Sequence, residues 1–137
     1  MSQENVEIVR RATETLSESY KSGEPTDEML ALCAPDIRVD ASRRVFNPAT
    51  YDGHAGLRSA IREIWEAWED FCEEDEQLID IGDKVIALHT IAGRGRTSGA
   101  EVRAQGAMIW TVRDGRVARV EAFLDQREAL KAAGLEE

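Results

Sequence analysis

Apolar and small positions recur along the first twenty residues at spacings of three and four. Val6, Val9, Thr13, Leu16 and Tyr20 make one stripe, while Glu7, Arg10, Arg11, Glu14 and Glu18 fill the other side. That period predicts an amphipathic helix over Glu4–Ser22, with Gly23 as its stop. A shorter helix is expected from Thr26, whose hydroxyl can cap it. Asp27 and Glu28 suit the positive end of its dipole, Met29, Leu30, Leu32 and Cys33 form its apolar face, and Pro35 ends it. Ile37-Arg38-Val39-Asp40-Ala41 then alternates, the mark of a strand with one buried face. Residues 42–53, broken by Pro48 and Gly53, read as an irregular connection. Over Ala55–Phe71 the helical period returns, with Leu57, Ile61, Ile64, Trp65, Trp68 and Phe71 on one stripe and Glu63, Glu66, Glu69 and Asp70 opposite.

The acidic run Glu73-Glu74-Asp75-Glu76 reads as the solvated end of that helix rather than a cation site. Beyond it the period changes to two. Leu78–Ile81 is a short strand followed by the turn Gly82-Asp83-Lys84, and Val85–Gly93 is a long strand. A flexible connection, Gly93–Gly99, leads to a strand over Val102–Val112. Asp114-Gly115, between two alternating runs, is a hairpin signal, and Val117–Leu124 is the last strand. Asp125 caps a short terminal helix, with Glu128 in position for a capping box and Gly134 at its end. Helices come first and strands later, with tight turns making the last four strands antiparallel neighbours. The expected class is therefore α+β, in one domain over residues 1–137.

Composition narrows the possible partners. The 137 residues carry a formal net charge of −10, with 32% charged and 42% hydrophobic residues, and both signs are dispersed along the chain. An acidic surface repels phosphate backbones, so nucleic acid and anionic membranes are not expected partners. The start Met1-Ser2-Gln3-Glu4-Asn5 has neither the basic residues nor the apolar stretch of a signal peptide, and the sequence reads as cytoplasmic. Cys33 and Cys72 belong to no C-x-x-C pair and read as reduced thiols.

Three local features sharpen the picture: Ala34-Pro35-Asp36-Ile37 leading into the first strand, Phe46-Asn47-Pro48-Ala49-Thr50-Tyr51-Asp52-Gly53 before the long helix, and Asp114-Gly115-Arg116-Val117 followed by Leu124-Asp125 and a Leu/Ala-rich helix. With the element order, they make the chain resemble the nuclear transport factor two-like superfamily, of the SnoaL-like type. The resemblance covers nearly the whole chain. It implies a curved, mostly antiparallel sheet wrapped around N-terminal helices, a cone whose concave sheet face and helices enclose an apolar pocket, and it implies a homodimer. The superfamily includes ketosteroid isomerases, limonene-type epoxide hydrolases and polyketide cyclases, so function rests on the site and not the fold.

Carried onto this chain by counting from those motifs, the isomerase tyrosine falls near Leu16, its protonated aspartate near Met108 and its base at Ala41, beside Asp40. All three positions are apolar, so the sequence departs from that pattern. The cyclase aspartate falls at Ala122, beside Glu121. Asp40 and Glu121 are thus the candidate catalytic carboxylates, Asp40 first. Strand alternation argues against both: with Ile37, Val39 and Ala41 inward, Asp40 points outward unless a bulge reverses it, and Glu121 is out of phase with Ala122. Asp40 with Arg94 or Arg96 would imitate part of the epoxide hydrolase pattern. His54 and His89 stand far apart with no metal-like spacing, His54 as a surface or capping residue and His89 as a satisfied core or interface residue. No metal or organic cofactor is implied.

The remaining signal is an apolar, aromatic lining. Leu16, Tyr20, Trp65, Trp68, Leu88, Met108, Trp110 and Ala122 are the expected ligand-binding positions, with Thr90 and Tyr20 supplying polar contacts. Any one of them taken alone reads first as a core residue; together, in a fold built around a cavity, they suggest a pocket for a flat or apolar small molecule, of polyketide, steroid or isoprenoid type. Cofactor-free acid/base chemistry and non-catalytic binding or dimeric interaction both remain open on these residues.

Overall fold

The computed structural model describes residues 2–44 and 48–135, the side chains of Ser2 and Asp75 aside. Phe46 and Asn47 of the sequence motif lie outside them. The elements run α1 (Ser2–Ser22), α2 (Asp27–Leu32), β1 (Cys33–Ala41), β2 (Ala49–Asp52), α3 (Gly53–Ala67), β3 (Trp68–Asp80), β4 (Lys84–Gly95), β5 (Glu101–Arg113), β6 (Arg116–Phe123) and α4 (Gln126–Ala132). One sheet has the order β2-β1-β6-β5-β4-β3. Among the described residues only β1 and β6 pair in parallel; every other neighbouring pair is antiparallel. The α+β cone expected from the sequence is the fold observed. No helix among the described residues is long and apolar enough to cross a membrane.

Local chemistry accounts for the boundaries. Gly23 ends α1 with φ +81, a conformation that costs glycine little. The Thr26 hydroxyl accepts from the Met29 N–H at 3.0 Å, capping α2 as its sequence requires. That helix stops at Leu32, before Pro35, which stands inside β1. Asp114 and Gly115 both take positive φ, +53 and +76, as a two-residue hairpin joining right-twisted strands demands. The Asp125 carboxylate caps α4 by accepting from the Arg127 N–H at 2.8 Å. Within the connection expected to be irregular, residues 49–52 instead form the edge strand β2.

The largest correction concerns the long helix. It ends at Ala67, not Phe71, and the acidic run is strand rather than helix end. The error has a physical source. β3 pairs Glu69 with Arg94 and Cys72 with Ala92, then Glu74 with Thr90 and Gln77 with Leu88, so each interval carries one extra residue on β3. Each bulge converts a two-residue repeat into a three-residue one. Asp70 sits at the first with φ +53. Trp68 and Phe71, and then Glu73 and Glu76, come to share a face at a spacing of three, which imitates a helix.

Two apolar layers flank the sheet. On the concave face, Val9, Ala12, Leu16 and Tyr20 of α1 pack with Met29, Leu57, Ile61, Val85, Ala87, Trp110 and Val120. On the convex face, Ala129 and Leu130 of α4 cover Ile86, Ile109, Phe123 and Leu88. The α1 stripe read from the sequence is the one buried.

Candidate active site

The open end of the cone is a cavity of about 1020 Å³, walled by β3, β4, β5, β6, α1, α3 and the approach to β2. Apolar walls come from Trp68, Phe71, Ile91, Met108 and Ala122. Tyr20 and Phe71 meet edge to face with ring centroids 5.0 Å apart, and Trp68 lies 6.2 Å from Phe71. Gly93 of β4 lies against both rings, where a Cβ would be in ordinary contact with Phe71 Cδ1 and Trp68 Cε3 at 3.4 Å. At the rim, the Tyr51 hydroxyl donates to Glu63 Oε1 at 2.5 Å and accepts from Arg44 at 2.6 Å.

Alternation along β4 points Val85, Ala87, His89 and Ile91 toward the concave side. His89 is therefore not in an arbitrary core position but in the cavity wall, 4% exposed. Its Nδ1 lies 3.8 Å from Glu76 Oε2, too far for a hydrogen bond, and has no hydrogen-bond partner among the described residues. Glu73 stands two residues along the register, opposite Ile91, and its Oε2 is likewise buried and unpartnered. The ligand-capable atoms of Glu73, Glu76 and His89 all lie within 4.8 Å of one another. The second bulge brings them together by putting Glu76 on the same face as Glu73.

Burial among apolar walls raises the Glu73 carboxyl to about 7; the His89 imidazole opposes the rise and Glu76 adds to it. Burial also raises the Tyr20 phenol, with Glu73 and Glu76 adding their negative charge, so Tyr20 stays neutral and able to donate. A carboxyl group that exchanges its proton near neutrality, a neutral phenol and an imidazole at one end of an apolar chamber can move a proton on a bound molecule.

The residues singled out from the sequence are divided by the structure. Tyr20, Trp68, Met108 and Ala122 line the cavity. Leu16 and Trp110 are packed in the concave-side core, Trp110 at 0% exposure. Trp65 turns aside, lying over Gly23 between the guanidiniums of Arg62 and Arg96 at 5.3 and 4.9 Å. Leu88 and Thr90 fall on the opposite phase of β4 from His89, and Leu88 packs against the convex cluster. Asp40 and Glu121 are register partners across β1 and β6. They sit on the convex face, outside the cavity wall, as alternation requires. Arg119 reaches both, at 3.3 and 3.6 Å, and Arg43 reaches both, at 3.6 and 4.0 Å. The Ser42 hydroxyl and N–H donate to Asp40 at 2.6 and 3.0 Å. The Ser42 hydroxyl bond leads the causes that hold the Asp40 carboxyl below its ordinary range, with Arg43 and Arg119 contributing. Neither arginine of the imagined hydrolase pair meets Asp40: Arg94 pairs with Glu101 and Arg96 donates to the Trp65 carbonyl. His54 holds the Cys33 carbonyl at 3.1 Å, near the start of α3. Burial pushes the Cys33 thiol up to about 12, which keeps it inert.

Glu73, Glu76 and His89 were missed by sequence reasoning. The phase of His89 with Val85, Ala87 and Ile91 was the available signal for the histidine. No comparable signal marks the two glutamates, because their common face depends on a bulge.

Comparison with known proteins agrees with this architecture. The SnoaL-like domain family matches residues 12–120. An NTF2-like protein of Burkholderia xenovorans LB400 superposes with a TM-score of 0.76 at 22% identity, covering 97% of this chain and 98% of its own. A provisionally assigned polyketide cyclase of Xanthomonas campestris pv. campestris gives 0.76 at 20% identity, over 96% and 98%. TerC, co-crystallised with polyporic acid, gives 0.72 at 18% identity, again over 96% and 98%. No curated protein matches the sequence itself. With its cone-shaped sheet, its cavity and a family match over most of its length, the chain belongs to the SnoaL-like domain family.

Proposed function

We propose that this protein transforms an apolar small molecule in its cavity by cofactor-free acid/base chemistry, with Glu73 as the group that moves the proton. The observation that carries the reading is the unpartnered, buried Glu73 oxygen at the polar end of a chamber walled by Trp68, Phe71 and Met108. The walls favour flat hydrocarbon-rich ligands, of polyketide, steroid or isoprenoid type, and TerC of the same fold was crystallised with polyporic acid. In the reaction, the Glu73 carboxylate takes a proton from the carbon next to a substrate carbonyl. The neutral Tyr20 hydroxyl donates to the enolate oxygen that forms. The carboxylic acid then returns the proton to a different carbon, which completes an isomerisation.

The test is a panel of cyclic ketones and enones, followed by solvent deuterium incorporation and double-bond migration, in chelator-treated protein. Glu73→Gln is expected to abolish measurable exchange while ligand binding, read from tryptophan fluorescence, persists. Exchange unchanged in Glu73→Gln would remove the proposal. The second reading, a non-catalytic binding module, is favoured by the predominance of apolar side chains in the wall; it predicts saturable binding with no exchange by the unaltered protein. We further propose a homodimer, as in the resemblance noted above, for which light scattering in solution is the measurement; a monomer across the working concentration range would reject it.

A further inference from the structure

We infer that Glu73, Glu76 and His89 form a binding site for one divalent first-row transition-metal ion, open on one side to the cavity. The inference concerns the end of the cavity assigned above to proton transfer, and it goes beyond that reading.

Three donors of the right kind converge there. Two carboxylates and an imidazole offer ligand atoms mutually within 4.8 Å, with His89 Nδ1 3.8 Å from Glu76 Oε2. Ligand atoms bound at about 2.1 Å around a tetrahedral ion stand about 3.4 Å apart, so modest closure of the glutamate side chains completes the set. The second observation is that the donors are not occupied with each other. His89 is 4% exposed, and neither its Nδ1 nor Glu73 Oε2 has a hydrogen-bond partner among the described residues. Buried polar atoms left unpaired are unusual, and one cation would satisfy both together with Glu76. The acidic cluster alone would not indicate a metal; the buried imidazole aimed into it does. Imidazole with two carboxylates suits zinc, iron or cobalt better than magnesium or calcium, which take oxygen alone. Glu73 and His89 both face the chamber, so remaining coordination positions open toward a bound molecule. Ion and proton compete for Glu73, which makes proton transfer by that residue sensitive to metal.

The experiment loads chelator-treated protein with Zn2+ by calorimetry and with Co2+ followed by its visible absorption. One ion per chain is expected. Glu73→Gln, Glu76→Gln and His89→Gln should each weaken it by about tenfold or more, while Glu121→Gln on the convex face leaves it unchanged. Glu76 lies on the exposed side of the cluster, so its variant keeps the test decisive if a buried substitution fails to fold. No stoichiometric binding by the unaltered protein overturns the inference. So does binding that survives in Glu76→Gln, which would assign the ion to the general negative charge of the surface. Binding is measured without substrate, so its failure leaves the proton-transfer proposal standing, and failure of that proposal leaves the metal test unaffected.

Discussion

Asp40 with Glu121, and Glu73 with Glu76, are two pairs of carboxylates on opposite faces of one sheet. The convex pair shares the guanidiniums of Arg43 and Arg119, and Asp40 accepts two further hydrogen bonds from Ser42. Its charge is wanted where it is, and the Asp40 carboxyl is held below its ordinary range. The concave pair has an imidazole at 3.8 Å and apolar walls, and the Glu73 carboxyl rises to about 7. Opposite shifts in one residue class follow from partners and solvation alone. A satisfied carboxylate stabilises a fold and has little left to offer a ligand. An unsatisfied one costs stability and is free to react.

Substituting one member of each pair tests that contrast most severely. Glu73→Gln is expected to lower turnover by about 10²–10⁴-fold, the usual worth of a positioned acid/base group. Asp40→Asn should leave turnover within about twofold, since Asp40 lies outside the cavity and acts on its neighbours only. Steady-state rates on one substrate identified by the exchange screen decide the matter. Comparable losses in both variants would erase the distinction between the two clusters.

A second test reverses the sign. Glu73 has a raised folded value, so the stability it allows is fully present below its unfolded value of 4.5 and is lost as pH rises through about 7. Glu73→Gln should therefore be the more stable protein above pH 8, by about 3 kcal/mol, with little difference near pH 4. Denaturant melts of chelator-treated protein at the two pH values measure it. A variant less stable than the parent at high pH would mean that the carboxylate has a partner in solution.

How much of this was readable beforehand depends on the repeat each element obeys. The α1 stripe, the Asp114-Gly115 hairpin and the alternation of β4 and β5 follow regular periods, and the structure repeats them. The outward phase of Asp40 and Glu121 was legible for the same reason. What failed was β3. Two bulges give Trp68, Phe71, Glu73 and Glu76 a spacing that mimics a helix, and pairing with β4 alone reveals the strand. The pocket list suffered similarly: Trp65 stays on α3 while Trp68 opens β3, so two tryptophans three residues apart do not share a site. Trp110 has the correct phase but lies too deep, and depth along a strand is a tertiary property.

The convex pair gives the smaller stability effect. Asp40→Ala removes hydrogen bonds from Ser42 and ion pairs to two partly exposed arginines, and is expected to cost about 2 kcal/mol at pH 7. Solvent around Arg43 and Arg119 limits the loss.

The smallest expected effect is the pH dependence of that same cost. Because the folded Asp40 carboxyl lies below its ordinary 3.8, its contribution is present above that value and disappears as pH falls through the lower, folded one. The gap between the parent and Asp40→Ala should therefore narrow as pH falls below 3.8 while remaining open at pH 5. The curve runs opposite to that of Glu73, whose penalty grows with pH. Urea midpoints for the parent, Asp40→Ala and Glu73→Gln across pH 3 to 9 place both behaviours on one axis. If the Asp40 difference persisted undiminished at the acid end, the Ser42 and arginine contacts would be acting through packing rather than charge.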